Sequence, residues 1–383
     1  MASKARSAAL VILLVVGIGP TVGCLTGGYT NPFNERPAQV IETRWLVQLN
    51  DPEMLAYFPK EFAVPAYANS GKIVMAGSER GVVVASDSSS GEELWRFKTS
   101  GKIRGGIKVK GRAAYFGAMD GLMYRLDAAT GLLDWQKPYE TRGAITATPD
   151  VSSDLLVFQN NENRTYALDP KTGAYKWDQG RPRPDFLTVK GEGGATIAGD
   201  TVYAGYDDGF LVAMRASDGA SRWSKSLGGS EQRFVDVDTR PVVQDGVVFA
   251  ASFAVGLYAL EAEHGTIRWL HRGRGIQSPV MGERFLFATD GQRQVLALDP
   301  STGHVRWKVE VARGELSAPS HSNERVWVPT GHGLLMIDAI SGHVRAQISP
   351  DDGQTAMVAT FGSWIHFVTN SGALVGARVY DSE

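Results

Sequence analysis

The stretch DSSSGEELW, residues 87–95, decides the fold, because its pattern recurs along the chain. Gly follows the Asp after four residues, and Trp follows the Gly after four more. This Gly–Trp spacing occurs six times, and a seventh copy keeps Gly342 but has Ala346 in place of the Trp. The six pairs are Gly91–Trp95, Gly131–Trp135, Gly173–Trp177, Gly219–Trp223, Gly265–Trp269 and Gly303–Trp307. A repeat of about 42 residues with several short strands is typical of propellers.

One repeat contains four apolar segments separated by turn residues. These segments are FAVPAYA (62–68), KIVMAG (72–77), VVVAS (82–86) and EELWRF (92–97). Four short strands joined by tight turns predict an antiparallel meander, which is one propeller blade.

The residues of the repeated motif have structural explanations. Gly91 ends a turn where a positive φ is expected, which glycine adopts without a Cβ clash. The side chains of Asp87 and its counterparts are expected to accept hydrogen bonds from turn amides, so these residues are assigned to turn formation rather than to catalysis. Each motif Trp is expected to dock between neighbouring blades, where an indole buries a large area. The predicted docking set is Trp45, Trp95, Trp135, Trp177, Trp223, Trp269 and Trp307.

The chain ends before the last repeat is complete. The final third strand, 372–380, has no turn and fourth strand after it, whereas IETRWLVQL (41–49) precedes any complete blade. Pairing of these two segments would close the ring and remove its open edges. We therefore predict an all-β, eight-bladed propeller over residues 41–380. The copy with Ala346 is expected to be the weakest dock, beside this seam.

The N-terminus has the features of a secretory signal. Lys4 and Arg6 precede an apolar stretch at 8–18 that is too short to span a bilayer. Residues 1–23 are therefore predicted to be a signal peptide. Residues 24–40, rich in Gly, Pro and Asn up to Pro37, are expected to be a flexible tether.

The signal ends at Thr21-Val22-Gly23-Cys24, which resembles the lipobox of bacterial lipoproteins. In those proteins the cysteine carries the lipid, so the resemblance implies a membrane anchor on Cys24. Leu25 rather than Asp follows the cysteine, which is similar to lipoproteins sorted to the outer membrane. The alternative is an ordinary cleavage site with a stray thiol.

Composition and motifs argue against several kinds of site. The net charge is −2 and no Lys/Arg run forms a stripe, so nucleic-acid binding has little support. Cys24 is the only cysteine, which excludes an internal disulfide and a Cys-based metal site. No histidine spacing fits a zinc protease. The glycine-rich segment 191–199 is neither a Walker loop nor a dinucleotide-binding fingerprint, because no helix is expected after it. We predict no catalytic, cofactor-binding or metal-binding residue.

Two longer stretches resemble one propeller family. Residues 41–380 resemble quinoprotein-type propellers as a group. LTVKGEGGATIAG (187–199) and RFVDVDTRPVVQDGVVFA (233–250) resemble the BamB family of the outer-membrane β-barrel assembly (BAM) machinery more specifically. The resemblance implies a non-enzymatic scaffold, lipid-anchored on the periplasmic face of the outer membrane. It also implies a monomer within a larger complex, binding the POTRA domains of a BamA-like partner and assisting insertion of nascent outer-membrane proteins.

The resemblance also implies which residues meet the partner. Leu187 and Val189 would supply an apolar patch with one charge from Lys190, and Asp236 and Asp238 an acidic rim. The alternative is that the two aspartates stabilise a blade connection.

Two other functions remain open. Quinone-dependent alcohol dehydrogenases are eight-bladed enzymes, but they are longer and use adjacent cysteines and calcium, and this predicted domain has no cysteine. The second is a module that binds cell-wall polymer or another envelope partner.

Overall fold

The computed structural model describes residues 40–49, 60–184, 193–229, 233–349 and 353–380. Within these ranges the regular elements are β-strands, and no helix is long and apolar enough to cross a membrane. The strands form eight four-stranded antiparallel sheets arranged as an eight-bladed propeller, which confirms the predicted fold.

Blades 1 to 7 each consist of four consecutive strands, and blade 8 combines the last three strands with the first. The strands of blades 1 to 4 are β2 Ala66–Ala68, β3 Ile73–Gly77, β4 Val82–Asp87, β5 Glu93–Lys98; β6 Lys108–Lys110, β7 Ala113–Gly117, β8 Leu122–Asp127, β9 Tyr139–Glu140; β10 Asp150–Val151, β11 Leu156–Asn160, β12 Arg164–Leu168, β13 Tyr175–Gly180; and β14 Thr196–Ala198, β15 Thr201–Gly205, β16 Phe210–Arg215, β17 Ser221–Ser226. Those of blades 5 to 8 are β18 Val242–Gln244, β19 Val247–Ser252, β20 Gly256–Glu261, β21 Ile267–Arg272; β22 Val280–Met281, β23 Leu286–Thr289, β24 Gln294–Leu298, β25 Val305–Glu310; β26 Ser320–Ser322, β27 Arg325–Thr330, β28 Gly333–Asp338, β29 Val344–Ile348; and β30 Ala359–Phe361, β31 Trp364–Val368, β32 Ala373–Tyr380, β1 Val40–Gln48.

Burial differs with position in the blade. Second strands such as β3 and β7 are buried along their whole length, because neighbouring blades cover both faces. Fourth strands such as β5 and β25 alternate between exposed and half-buried residues, as expected for strands with one solvated side. The core therefore lies between the blades, at the level of their two middle strands.

The ring closes by pairing of the two ends of the chain. β1 pairs antiparallel with β32, from Val40 opposite Tyr380 to Gln48 opposite Ala373. The Leu49 amide extends the ladder by donating to the Gly372 carbonyl at 2.9 Å. This confirms the predicted closure by the N-terminal strand.

Each motif tryptophan docks on the turn glycine of the next blade. A Cβ built on those glycines would lie 2.5–2.9 Å from the indole, and each glycine has φ between 68° and 75°. Each indole Nε1 also donates to a main-chain carbonyl of that next blade at 2.8–3.2 Å. The docked pairs are Trp45–Gly91, Trp95–Gly131, Trp135–Gly173, Trp177–Gly219, Trp223–Gly265, Trp269–Gly303 and Trp307–Gly342.

The interface between blades 7 and 8 is built differently. Ala346 occupies the tryptophan position, and the residue opposite it on β28 is Met336. In five other blades the residue opposite the tryptophan is alanine, at Ala85, Ala167, Ala213, Ala259 and Ala297. Blade 8 has no turn between its third and fourth strands, because β32 and β1 are opposite ends of the chain. A tryptophan at 346 would therefore meet no turn glycine. The predicted place of the seam is confirmed, and the weakness of this dock stays a prediction.

The repeated aspartates form turns, as predicted. Asp87 Oδ1 accepts hydrogen bonds from the amides of Ser89 and Ser90, both at 2.9 Å. Hydrogen bonds from the Ser89 side chain and these amides outweigh the effect of burial and lower the pKa of Asp87. Where the motif has Arg215 instead, Asp218 accepts from the Ala220 amide at 3.0 Å.

A buried polar cluster joins blade 8 to blade 1. The Ser88 carbonyl accepts Trp45 Nε1–H at 3.1 Å and also lies 2.9 Å from His366 Nε2. The other ring nitrogen, Nδ1, is bonded to the Tyr67 hydroxyl. Because a carbonyl can only accept, these partners place the proton of neutral His366 on Nε2. Burial lowers the pKa of His366 to about 4 and raises the pKa of Tyr67.

Two strand predictions were wrong in extent. The predicted 62–68 strand is limited to Ala66–Ala68, because pairing begins after Pro65, which has no N–H to donate. Trp135 docks as expected but lies outside a strand, since β9 comprises only Tyr139–Glu140. Pro138 immediately precedes β9 and likewise has no ladder donor.

Candidate functional site

The turns and connections divide between two faces of the ring. The face that carries the links between successive blades and the turns between second and third strands is called the connection face. The opposite face, which carries the remaining turns, is called the turn face. Backbone hydrogen bonds of 2.8–3.1 Å join the links to the turns on the connection face: Met119–Lys102, Asn161–Ala144, Phe253–Asp236, Gly291–Arg274, Gly331–Glu315 and Asn370–Gly353.

The predicted partner-binding residues belong to two links on the connection face. One link leads from β13 to β14 and the other from β17 to β18, so the two flank blade 4. Leu187, Val189 and Lys190 lie outside the described residues, as does Cys24. Asp236 and Asp238 are described.

The two aspartates differ in exposure. Asp236 is 0% exposed, and its carbonyl accepts the Phe253 amide at 3.0 Å, which holds it beneath a blade 5 turn. The expected acidic rim therefore does not extend to Asp236 in this structure, which suits the alternative of a residue within a blade connection. Asp238 is partly exposed and remains on the surface.

The described ends of the two links touch each other. A Cβ on Gly193 would lie 3.0 Å from the Asp238 carbonyl oxygen, so the two backbones are in close contact. Two residues further on, Arg240 Nη2 donates to the Ala195 carbonyl at 3.2 Å. Residues 193–195 and 238–240 thus form one surface.

Arg240 fixes this surface to a third element. Its Nη1 donates to the Thr148 carbonyl at 3.2 Å, and its Nη2 also reaches the Pro149 carbonyl at 3.4 Å. The guanidinium lies 3.6 Å from Asp150, which Lys108 approaches to 3.0 Å. A planar guanidinium with five donors can serve several carbonyls at once, which an ammonium group does less well.

The charges around Arg240 stabilise one another. Burial opposes ionisation of Asp150, but Arg240 and Lys108 outweigh it, so the pKa of Asp150 is lowered. Burial lowers the pKa of Arg240, and Asp150 partly offsets this effect. These groups are engaged with one another and with main-chain carbonyls, so their arrangement suits a structural role.

No sequence motif marks Arg240. Its nearest signal is Pro241, one of the prolines that precede the first strand of a blade. Thr148 lies 92 residues away in sequence, and no local pattern connects it to Arg240. Across the ranges that the structure covers, no group of three or more His, Cys, Asp or Glu residues is placed to hold a metal ion.

Known proteins resemble this chain in sequence and in fold. A family profile described as outer membrane protein assembly factor BamB matches residues 79–273 and 257–365. The outer membrane protein assembly factor BamB of Yersinia pestis is 26% identical over 299 residues, covering 73% of this chain and 75% of that protein.

Two solved structures share the fold. The crystal structure of BamB from Moraxella catarrhalis has a TM-score of 0.75 at 19% identity, covering 88% of this chain and all of that one. A quinohemoprotein alcohol dehydrogenase from Comamonas testosteroni has a TM-score of 0.71 at 14% identity, covering 90% and 77%. At such identities the likeness shows the fold alone, which an assembly factor and an enzyme share.

The family follows from the sequence match rather than from the shared architecture. The profile spans residues 79–365, from the second-to-third-strand turn of blade 1 into blade 8. The relative from Yersinia pestis carries the same name as the profile. The chain belongs to the family of outer membrane protein assembly factor BamB.

Proposed function

We propose that this protein is a non-enzymatic scaffold of the BAM complex. In this role it binds the POTRA domains of a BamA-like partner and assists insertion of outer-membrane proteins. Membership of the BamB family and the names of its relatives support the role.

One observation carries the proposed docking site. The links that hold the candidate binding residues come together, with Gly193 against Asp238 and Arg240 bonded to Ala195. Two separate loops therefore present one continuous surface, on which Asp238 is accessible to a partner. Leu187, Val189 and Lys190 precede Gly193 by a few residues and complete the proposed site.

The proposed anchor is a lipid on Cys24, after removal of residues 1–23, with 24–40 as the tether on the periplasmic face of the outer membrane. The first described residue, Val40, pairs with Tyr380 at the end of the sheet farthest from Gly372. Since Gly372 belongs to a connection-face turn, Val40 lies on the turn face, and the proposed tether would join the ring there. This geometry supports a connection face that is free for a protein partner.

The charged groups near the first strands support a role without catalysis. Arg240 donates hydrogen bonds to three main-chain carbonyls, and Asp150 pairs with both Arg240 and Lys108. These contacts assign them to joining blades 2, 3, 4 and 5.

The test is a quantitative pull-down of the complete lipoprotein with the POTRA region of BamA from the same organism. Asp238→Arg and Leu187→Arg are expected to reduce capture strongly, because each places a large cation in the proposed contact. Asp154→Arg is the matched control, since Asp154 is exposed and lies in a turn-face turn. Equal capture of the two site variants and the control would refute the proposed surface.

A further inference from the structure

Four exposed arginines lie on the connection face of blades 5 to 7. Arg233 and Arg274 belong to the links before β18 and β22, Arg293 to the turn between β23 and β24, and Arg313 to the link after β25. We call Arg233, Arg274, Arg293 and Arg313 the arginine strip. Backbone hydrogen bonds connect the segments that carry Arg274, Arg293 and Arg313. The Gly291 amide donates to the Arg274 carbonyl, and the Val311 amide to the Arg293 carbonyl, both at 2.9 Å.

The strip is continuous with the proposed docking surface. Phe253 connects the two, because its amide donates to Asp236 at 3.0 Å and its carbonyl accepts from Gly275 at 2.8 Å. Phe234, beside Arg233, is 37% exposed, and its ring centroid lies 6.4 Å from that of Phe253.

Phe234 has an unusual backbone. Its φ of 56° lies in the left-handed region, where an aromatic residue is rare and strained. Strain of this kind concentrates at binding sites. The Phe234–Phe253 pair is thus an apolar element beside Arg233, in the same link as Asp238.

The four arginines differ from three others on the same face. Arg104 pairs with Glu79 at 2.6 Å, Arg181 with Asp208 at 2.6 Å and Arg183 with Glu162 at 3.2 Å. In the portion of the chain that the structure describes, no member of the strip has a side-chain ion pair or hydrogen bond. Two carboxylates near the strip in sequence have other partners: Asp290 accepts the amides of Gln292 and Gln294, and Glu315 pairs with Lys60 at 3.0 Å.

We propose that the arginine strip, with Phe234 and Phe253, is a second docking area for the same protein partner. The partner surface would be rich in carboxylates and would offer an apolar side chain to the phenylalanine pair. This inference rests on the proposed function.

Two observations favour a protein surface over an anionic membrane. The strip adjoins the proposed partner loops, and Val40, the first described residue, lies on the opposite face of the ring, where it pairs with Tyr380. Guanidinium groups bind carboxylates through paired hydrogen bonds, so a partner carboxylate beside each arginine gives geometric specificity.

The test uses the complete chain and a triple variant, Arg274→Glu, Arg293→Glu and Arg313→Glu. A matched control carries Lys72→Glu, Lys171→Glu and Arg284→Glu, which change the net charge equally at exposed positions of the turn face. The probes are the POTRA region of BamA and, separately, vesicles that contain anionic phospholipid. Circular dichroism and the melting temperature verify that both variants fold.

We expect the strip variant to bind the POTRA region about tenfold more weakly at low ionic strength, mainly through slower association. The difference from the parent should shrink as salt is added, because exposed charges are screened. The control should bind as the parent does.

Three results would overturn the inference. If the strip variant binds the POTRA region like the control, the strip is not a docking area, although the proposed function stands. If it loses binding only to vesicles, the strip is a membrane contact. If the parent itself does not bind the POTRA region, the proposed function fails and the inference fails with it.

Discussion

Trp45 of β1 lies directly over Gly376, the residue paired with it on β32. A Cβ on Gly376 would lie 2.1 Å from Trp45 Cε2 and 2.4 Å from its Nε1. The same indole packs on Gly91 of blade 1. One side chain thus joins both ends of the chain to the next blade, and it needs a bare backbone beneath it.

The substitution Gly376→Ala tests this contact. We expect it to lower the free energy of unfolding by about 1–3 kcal/mol, because the added methyl group forces the indole to shift. Gly376 is not among the residues with positive φ, so the effect would be steric. Urea unfolding measures it, with Gly331→Ala as control, whose Cβ would meet nothing closer than 3.6 Å. Equal stability of the two variants would contradict the requirement for glycine.

Docking between blades is tested by Trp177→Ala. Trp177 is 4% exposed, and its Nε1 donates to the Ala216 carbonyl at 2.8 Å. Loss of a buried indole is expected to cost about 3–5 kcal/mol. Trp177→Phe keeps most of the apolar contact and should cost less. A melting temperature unchanged by the alanine substitution would disprove the docking role.

Stability is expected to depend on pH through His366. The unfolded residue binds a proton near pH 6.5, but burial lowers its pKa in the folded protein to about 4. Between these values the unfolded state holds more protons, so stability falls as the pH is lowered from 6.5 to 4. The total loss is about 3 kcal/mol, and above pH 6.5 this residue adds no pH dependence.

The comparison with His366→Gln isolates this contribution. Burial also lowers the pKa values of His271 and His321, and both residues are retained in the variant. The variant should therefore show a shallower pH dependence of unfolding between pH 4 and 6.5. Identical slopes for the two proteins would mean that His366 titrates normally.

At the interface of blades 7 and 8 the large residue is Met336 and the small one opposite it is Ala346, the reverse of five other blades. A double-mutant cycle tests whether the two side chains share one space. Ala346→Trp alone should destabilise by about 1–3 kcal/mol through overpacking. Met336→Ala alone should cost about 2–5 kcal/mol, because Met336 is fully buried. The double variant should lose less stability than the sum of the two single losses, since Met336→Ala makes room for the indole and the indole fills the resulting cavity. Additive losses would show that the two positions do not share one space.

Arg240→Lys tests the residue that joins the two links. Lysine keeps the charge but cannot reproduce the bonds to Thr148, Pro149 and Ala195. We expect faster amide hydrogen exchange at residues 193–198 and weaker capture of the POTRA region. Arg222→Lys is the control, because Arg222 pairs with the exposed Asp200 at 2.5 Å. Unchanged exchange at 193–198 would rule out a positioning role for Arg240.

The repeat was readable from sequence because it is imposed on the backbone locally. Gly91 and Trp95 lie within one turn and strand, so their spacing is visible in six of the seven copies. Closure was also predictable, since Trp45 supplied the one tryptophan that matched a missing strand. The length of the first strands was not, because Ala66–Ala68 is limited by Pro65 rather than by its apolar character.

The residues missed in the candidate site act over long distances in the chain. Asp236 and Asp238 look equivalent in the alternating stretch, but Asp236 is buried and its carbonyl accepts the Phe253 amide, whereas Asp238 is partly exposed. Tyr67 and His366 are 299 residues apart. Contacts of this kind depend on the tertiary fold and leave no local pattern.

The composition of blade 8 has a consequence for the order of folding. Its fourth strand, β1, is the first of the described strands to be synthesised, whereas its neighbour β32 is the last of them. Until Ala373–Tyr380 is present, Val40–Gln48 has no strand to pair with, and the ring retains open edges of the kind that promote aggregation. Closure thus requires both β1 and β32. A chain truncated before β32 would keep β1 unpaired, and this exposed strand would distinguish it from the full-length chain.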